Sequence, residues 1–349
     1  MPLRTVPLRT VVCILAWLVL VTVPAITDTS GRSRDFLATA FHVGKDDLAR
    51  IAAGRVYSGT LPVQHPREVA TLGIVRIQTT PQRYIDGLAD IAAFKRDDKI
   101  LQIGTFGTPP QAGDVADLTL DEEDVDSLRE CRVADCDVQL SAQAIERFRA
   151  GVNWRAPDAS RQAAVLMRRV LLEYVTQYQK AGSVAAMEYA DSTGRLSLAD
   201  EFKALVAADT TTWKHVPDLH RHLLEFPTVR AGSRDLVYWS KEKVHRRPVI
   251  SVTHLAIVPA ERESPVKYAV ASRQIYAMHY FDVSLGLTLL IPDTSAAKPA
   301  TYVVYLNRSR IDLFDGVMGG IARKVVKGKA RSLVAEQLER VRRTLEAAG

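Results

Sequence analysis

The residues of this chain that could do chemistry fall into four groups, and the cysteines are the first. Cys131 and Cys136 are separated by four residues, while Cys13 lies inside an apolar run near the start. In an oxidising compartment the pair is most simply a disulfide. A redox-active dithiol is the alternative, but the spacing is not Cys-x-x-Cys. Two thiols without a second pair cannot fill a tetrahedral zinc site. His215, His220 and His222 are close in sequence, yet on a helix 215 and 222 share a face and 220 turns away, so no metal is expected there.

The third group is Arg273, Tyr276, His279, Tyr280 and Asp282. Alternation along a single strand would send Tyr276, Tyr280 and Asp282 to one face, with Arg273 and His279 on the other. A histidine with an ordinary pKa near 6.5 could act as acid or base. A hydrogen-bonded structural role is the commoner fate of a lone strand histidine, and His254 has the same two readings. The fourth group is Asn307-Arg308-Ser309-Arg310, whose two guanidiniums could hold an acidic headgroup or simply pair with acidic loops. No nucleophile elbow, zinc-protease helix, phosphate loop or dinucleotide fingerprint occurs, and no cofactor is expected.

These groups need elements to position them. Residues 26–54 look like a lead-in with a short helix, Lys45 to Ala53, stopped by Gly54. Arg55–Leu61 and Arg67–Gln78 are strand-like, with Val69, Thr71, Gly73, Val75 and Ile77 on one face. Pro81 opens a helix whose apolar spacing runs through Ile91 and Ala92, and Lys99–Gly107 returns to a strand. Residues 109–234 are rich in helix signals and form a predicted helical insertion. It has a capping box at Thr119 and Glu122, a cap at Ser141, a long helix from Asp158 to Lys180 ending at Gly182, and a cap at Ser197. From 235 the pattern is a series of antiparallel strands: Leu236–Ser240, Val249–Val258, Lys267–Phe281, Leu285–Ile291 and Thr301–Asn307. An amphipathic helix follows, with Ile321, Val325, Leu333, Val334, Leu338, Val341 and Leu345 on its stripe.

This order of elements resembles the START-like helix-grip superfamily of polyketide cyclases and lipid-transfer domains. The likeness covers 55–108 and 235–349; residues 109–234 have no counterpart in its simple members. The resemblance implies an α+β fold in which a curved antiparallel sheet grips the last helix, with an apolar cavity between them that takes a lipid-like or aromatic molecule. Trp239, Tyr276, Tyr280, Tyr302, Val334 and Leu338 are the candidate lining. Core packing explains the four aromatic residues equally well. A binding module, a cyclase- or hydrolase-like enzyme, and a scaffold recruiting a protein through the insertion all remain open.

The remaining features bear on location and partners. Arg4 and Arg9, the apolar run from Val11 to Val23 and the exit Val23-Pro24-Ala25 have the three parts of a secretory signal, with cleavage expected after Ala25. The run is shorter than the roughly 20 residues that cross a bilayer, so export to a periplasm or cell surface is favoured over anchoring. The net charge of +6 is too mild to imply nucleic acid. Asp114–Asp137 holds ten acidic residues against Arg129 and Arg132, and Ile321–Gly349 holds eight basic residues against Glu336, Glu339 and Glu346. The basic helix could meet an anionic membrane surface, or the acidic segment of its own chain.

Overall fold

The computed structural model describes residues 31–244, 246–261, 263–312 and 319–347, with side chains of the last helix described from 326 onward. The expected signal segment 1–25, Cys13, and the stripe positions Ile321 and Val325 lie outside the described side chains.

The chain is α+β. Eight strands form one sheet in the order β1-β2-β10-β9-β8-β7-β6-β3, every neighbouring pair antiparallel. These are β1 Tyr57–Thr60, β2 Glu68–Ile77, β3 Ile100–Phe106, β6 Arg234–Lys243, β7 Pro248–Pro259, β8 Tyr268–Ala277, β9 Phe281–Pro292 and β10 Thr301–Ile311. A separate ribbon pairs β4 Glu188–Tyr189 with β5 Leu196–Ser197. β6 to β10 are consecutive in sequence and adjacent in space, whereas β2 and β3 lie far apart. Two short helices, α3 Pro81–Gly87 and α4 Ile91–Phe94, make that crossing.

Helices cover both faces. On one, α10 Gly319–Ala347 lies along β2 and β1 and buries Val334, Leu338, Val341 and Leu345 with Val75, Ile77, Ile85 and Leu290. On the other face lie α1 Arg32–Phe41, α2 Lys45–Ala52, α5 Glu122–Glu130, α6 Ala142–Gly151, α7 Ala159–Ala181, α8 Leu198–Ala207 and α9 Pro217–Glu225. The sheet is therefore covered on both sides, which explains strands such as Pro248–Pro259 in which ten consecutive residues are buried.

Several local expectations are corrected. The segment before β1 is no mere lead-in: α1, unmarked by any side-chain cap, puts Leu37 into the same core as Ile74, Leu289 and Val304. The helix opened by Pro81 breaks at Leu88, because Asp90 accepts from the Ala93 amide and starts α4 instead. Thr119 caps nothing. Asp121 is the residue before α5, and Thr119 bonds through both its amide and hydroxyl to Gln102 Oε1 at 3.1 Å. Ser141 and Ser197 do cap their helices, accepting from the Ala144 and Asp200 amides.

The run from Lys267 to Phe281 is two strands' worth. β8 ends at Ala277, residues 278–280 turn, and β9 starts at Phe281. A register shift opposite Val252/Thr253 also inserts a residue between Gln274 and Tyr276. That bulge reverses the side-chain parity, so Arg273 and Tyr276 lie on the same face rather than opposite ones.

Candidate ligand cavity and a buried polar network

The face of the sheet under α10 changes character along its strands. At one end Leu255, Ile257, Val270, Leu290 and Val303 point toward the helices and are sealed by α3, α4 and the C-terminal half of α10. At the other end small polar residues take the same positions. Ser309 Oγ bonds Ser284 Oγ at 2.8 Å and donates to Asn307 Oδ1 at 2.9 Å, and Asn307 Nδ2 donates back to Ser284 at 3.3 Å. These groups satisfy one another, so the floor is polar in atoms but leaves few bonds unmade.

Over this floor stands the N-terminal half of α10, and between them lies a cavity of about 580 Å³. Its walls are mainly apolar: Val69, Phe281, Ile311, Val326, Ala330 and Leu333. The size and lining are those of small-molecule sites. One glycine sets where the helix seals and where it stands off. A Cβ on Gly73 would collide with Val334 and Leu338, so their close approach to β2 requires glycine there. A second recess of about 180 Å³ continues along the floor past Ser272 and Gln274. It ends at Lys95, whose ammonium donates to Glu242 at 2.8 Å. Burial opposes the charge on both, yet Lys95 holds the Glu242 carboxyl below its ordinary range, and Tyr238 and Glu242 hold Lys95 above its own.

Beside the cavity, sharing Tyr280 as a wall, is a polar recess of about 600 Å³ lined by Glu123, Asp137, Arg246, Arg247, His279 and Asp312. The insertion holds the turn from Met278 to Tyr280 firmly. Gln139 donates its amide to the Met278 carbonyl, and His279 bonds Asp124 Oδ1 and the Asp137 carbonyl, both at 2.9 Å. Both ring nitrogens of His279 are thereby engaged with oxygen atoms of the insertion. It has no free nitrogen with which to take a proton from a substrate. Tyr280 sits at φ 67, a left-handed conformation uncommon for a bulky residue, and its carbonyl accepts the Asp312 amide at 3.1 Å.

The opposite face holds a different constellation. His254 Nε2 and His222 Nε2 both contact Asp235 Oδ1, at 2.7 and 2.8 Å, and His254 Nδ1 meets the Tyr178 hydroxyl at 2.8 Å. Burial alone would raise the Asp235 pKa, but the bonds from His222 and His254 override it and hold it at about 2. His254 is pushed down by burial, with Asp235 only partly offsetting. Hydroxyl, imidazole and carboxylate stand in the order of a nucleophilic relay. The chemistry does not follow, because Tyr178 is wholly buried and its pKa is pushed up to about 12 by that burial. The network instead ties α7 and α9 to β6 and β7.

The expected site residues divide accordingly. Tyr280 and Val334 line the cavity. Leu338 seals against Gly73 instead of lining it. Trp239, Tyr276 and Tyr302 are corrections: each is almost fully buried on the opposite face, and none can line a space under α10. Trp239 donates to the Asp114 carbonyl at 2.7 Å, and burial drives the Tyr276 hydroxyl well above its usual range. Arg308 and Arg310 point the same way and are spent on Glu68 and Glu201. Of the three neighbouring histidines, 222 joins the Asp235 network while 215 and 220 pack on Phe36 and Trp213. Among the described residues no group of three or more His, Cys, Asp or Glu is placed to hold a metal.

The floor role of Ser284, Asn307 and Ser309 was not anticipated: Asn307 and Ser309 enter the sequence reading only as neighbours of the two guanidiniums, and the unbroken polar run 307–310 gives no alternation that would assign them a face. Among the described residues the acidic segment makes no ion pair with the basic helix: Asp121 pairs with Lys241 and Glu123 with Arg247, while Arg340 pairs with Asp97 and Glu336 with Lys99. Cys131 and Cys136 are at disulfide distance, with Cα atoms 4.4 Å apart, and no described helix is long and apolar enough to cross a membrane. No known protein family, curated protein or solved structure matches this chain, so the site rests on its geometry.

Proposed function

We propose that this protein binds an apolar small molecule, lipid-like or aromatic, between the sheet and the N-terminal half of α10. The observation that carries the reading is the 580 Å³ cavity with apolar walls over a self-satisfied polar floor. The order of elements supports kinship with the helix-grip superfamily. The test is native mass spectrometry and organic extraction of protein purified without detergent, comparing the natural chain with Ala330→Trp. An indole at 330 should fill the cavity and abolish the co-purifying mass while the fold stays intact. Identical ligand content in both proteins, or none in either, would remove the proposal.

The protein works, in this reading, after export to a periplasm or cell surface. The support is the tripartite pattern of residues 1–25 together with the close cysteine pair. Intact-mass measurement of the mature protein should find Ile26 first and two hydrogens missing at Cys131 and Cys136. A chain beginning at Met1, or one carrying two free thiols, counts against export.

A further inference from the structure

The polar recess beside the cavity is built differently from a solvated surface. Its backbone is fixed by the insertion through Gln139, Asp124 and Asp137, and it shares a wall, Tyr280, with the apolar space. A ligand lying along α10 with its chain over Ala330 and Leu333 would bring its end past Tyr280 into this recess.

The charges there are almost all committed. Arg247 gives Nε to Glu123 at 2.6 Å, reaches Asp137 at 3.8 Å, and gives Nη1 to Ser127 at 3.1 Å. His279 is tied to buried Asp124, and Asp312 is likewise engaged. Arg246 is exposed and, among the described residues, makes no ion pair. One guanidinium facing a recess whose other cations are neutralised suits one compact anionic group; an extended polyanion would meet the carboxylates of Glu123 and Asp137.

We infer that the ligand is a single-chain amphiphile with an anionic headgroup, a carboxylate or a phosphate, and that Arg246 binds that headgroup in the recess beside Tyr280. This rests on the cavity being a ligand site. The apolar walls supply affinity for the chain, and Arg246 supplies the preference for charge. The insertion thus has a role in recognition: its Glu123 and Asp137 occupy Arg247 and leave Arg246 as the one guanidinium of the recess without an ion pair among the described residues.

The experiment uses the full chain freed of lipid by extraction, with hexadecanoate, its methyl ester and monohexadecyl phosphate as matched probes and inorganic phosphate as a chainless control. The carboxylate or the alkyl phosphate should bind at least about tenfold more tightly than the ester; whichever does so names the headgroup. Arg246→Gln should collapse that ratio to near unity. Glu123→Gln removes the nearer of the two carboxylates that neutralise Arg247 and should widen it, a change in the opposite direction that no unfolding can mimic. Equal affinity for charged and ester probes, or a ratio that survives Arg246→Gln, would overturn the headgroup site while leaving the cavity standing. Inorganic phosphate binding as tightly as its alkyl ester would make the recess an ion site unconnected to the cavity, and overturn it too. If no long-chain probe binds, this proposal falls, and with it the lipid-like form of the cavity reading.

Discussion

The two faces of the sheet solve the same problem in opposite ways. The face under the insertion is closed. Trp239, Tyr178, Tyr276 and Tyr302 are almost fully buried there, and Asp235 binds His222 and His254 in a fixed set. The face under α10 is closed only along half its length, and the rest is a floor of serine and asparagine beneath a helix that stands off. A rigid, double-sided sheet clamped from behind can leave a space in front without collapsing into it. The difference teaches that the aromatic residues buried on the closed face hold the scaffold, while small polar residues, with Tyr280 and Phe281 beside them, mark the site.

Breaking the closed face should therefore cost most. Gly182 ends α7 at φ 59, and a Cβ there would land on the Phe226 carbonyl oxygen, a backbone atom that cannot swing aside. Gly182→Ala should lose about 4 kcal/mol or more in urea unfolding, or fail to fold. A loss under about 1 kcal/mol would show that the seam between α7 and α9 is slack.

Acid should act on the same face. His254 has a folded pKa lowered from 6.5 by burial, so the unfolded chain binds the extra proton first. Its contribution is complete above about pH 6.5 and is lost progressively as pH falls below that value. Asp235, lowered from 3.8 to about 2, adds a second loss between those two values, of about 2 kcal/mol at most since its side chain is a quarter exposed to solvent. Unfolding free energy measured from pH 8 to pH 5 should slope downward toward acid, and His254→Gln should flatten the slope. A flat natural profile would mean that the imidazole is not desolvated.

On the open face the smallest effect on stability is expected, with the largest on ligand. Ala330→Trp should change the unfolding free energy by less than about 1 kcal/mol, because it enters space rather than packed atoms. In a solid core it would cost about 1–3 kcal/mol or more. Leu338, by contrast, is already packed on Gly73 and offers no such test.

What the sequence alone determined is the material of each layer. Period-two alternation from Val69 to Ile77 marked the strand face that meets the last helix, and the 3.6-residue stripe through Val334, Leu338, Val341 and Leu345 marked the side of that helix. Both follow from local geometry, which a sequence carries directly. The Ser141 and Ser197 caps were legible for the same reason. The face to which a given aromatic residue points was not. One bulge near Gln274 and a turn ending at Tyr280 reset the parity of everything between them, and neither has a local signature in this chain. The cavity depends on still longer relations: Ser284 meets Ser309 across a strand pair, α10 stops sealing where the floor turns polar, and the turn ending at Tyr280 is held by Asp124, Gln139 and Asp312 from distant parts of the chain. Contacts between residues tens or hundreds of positions apart depend on register and layer order, and these only the tertiary structure decided.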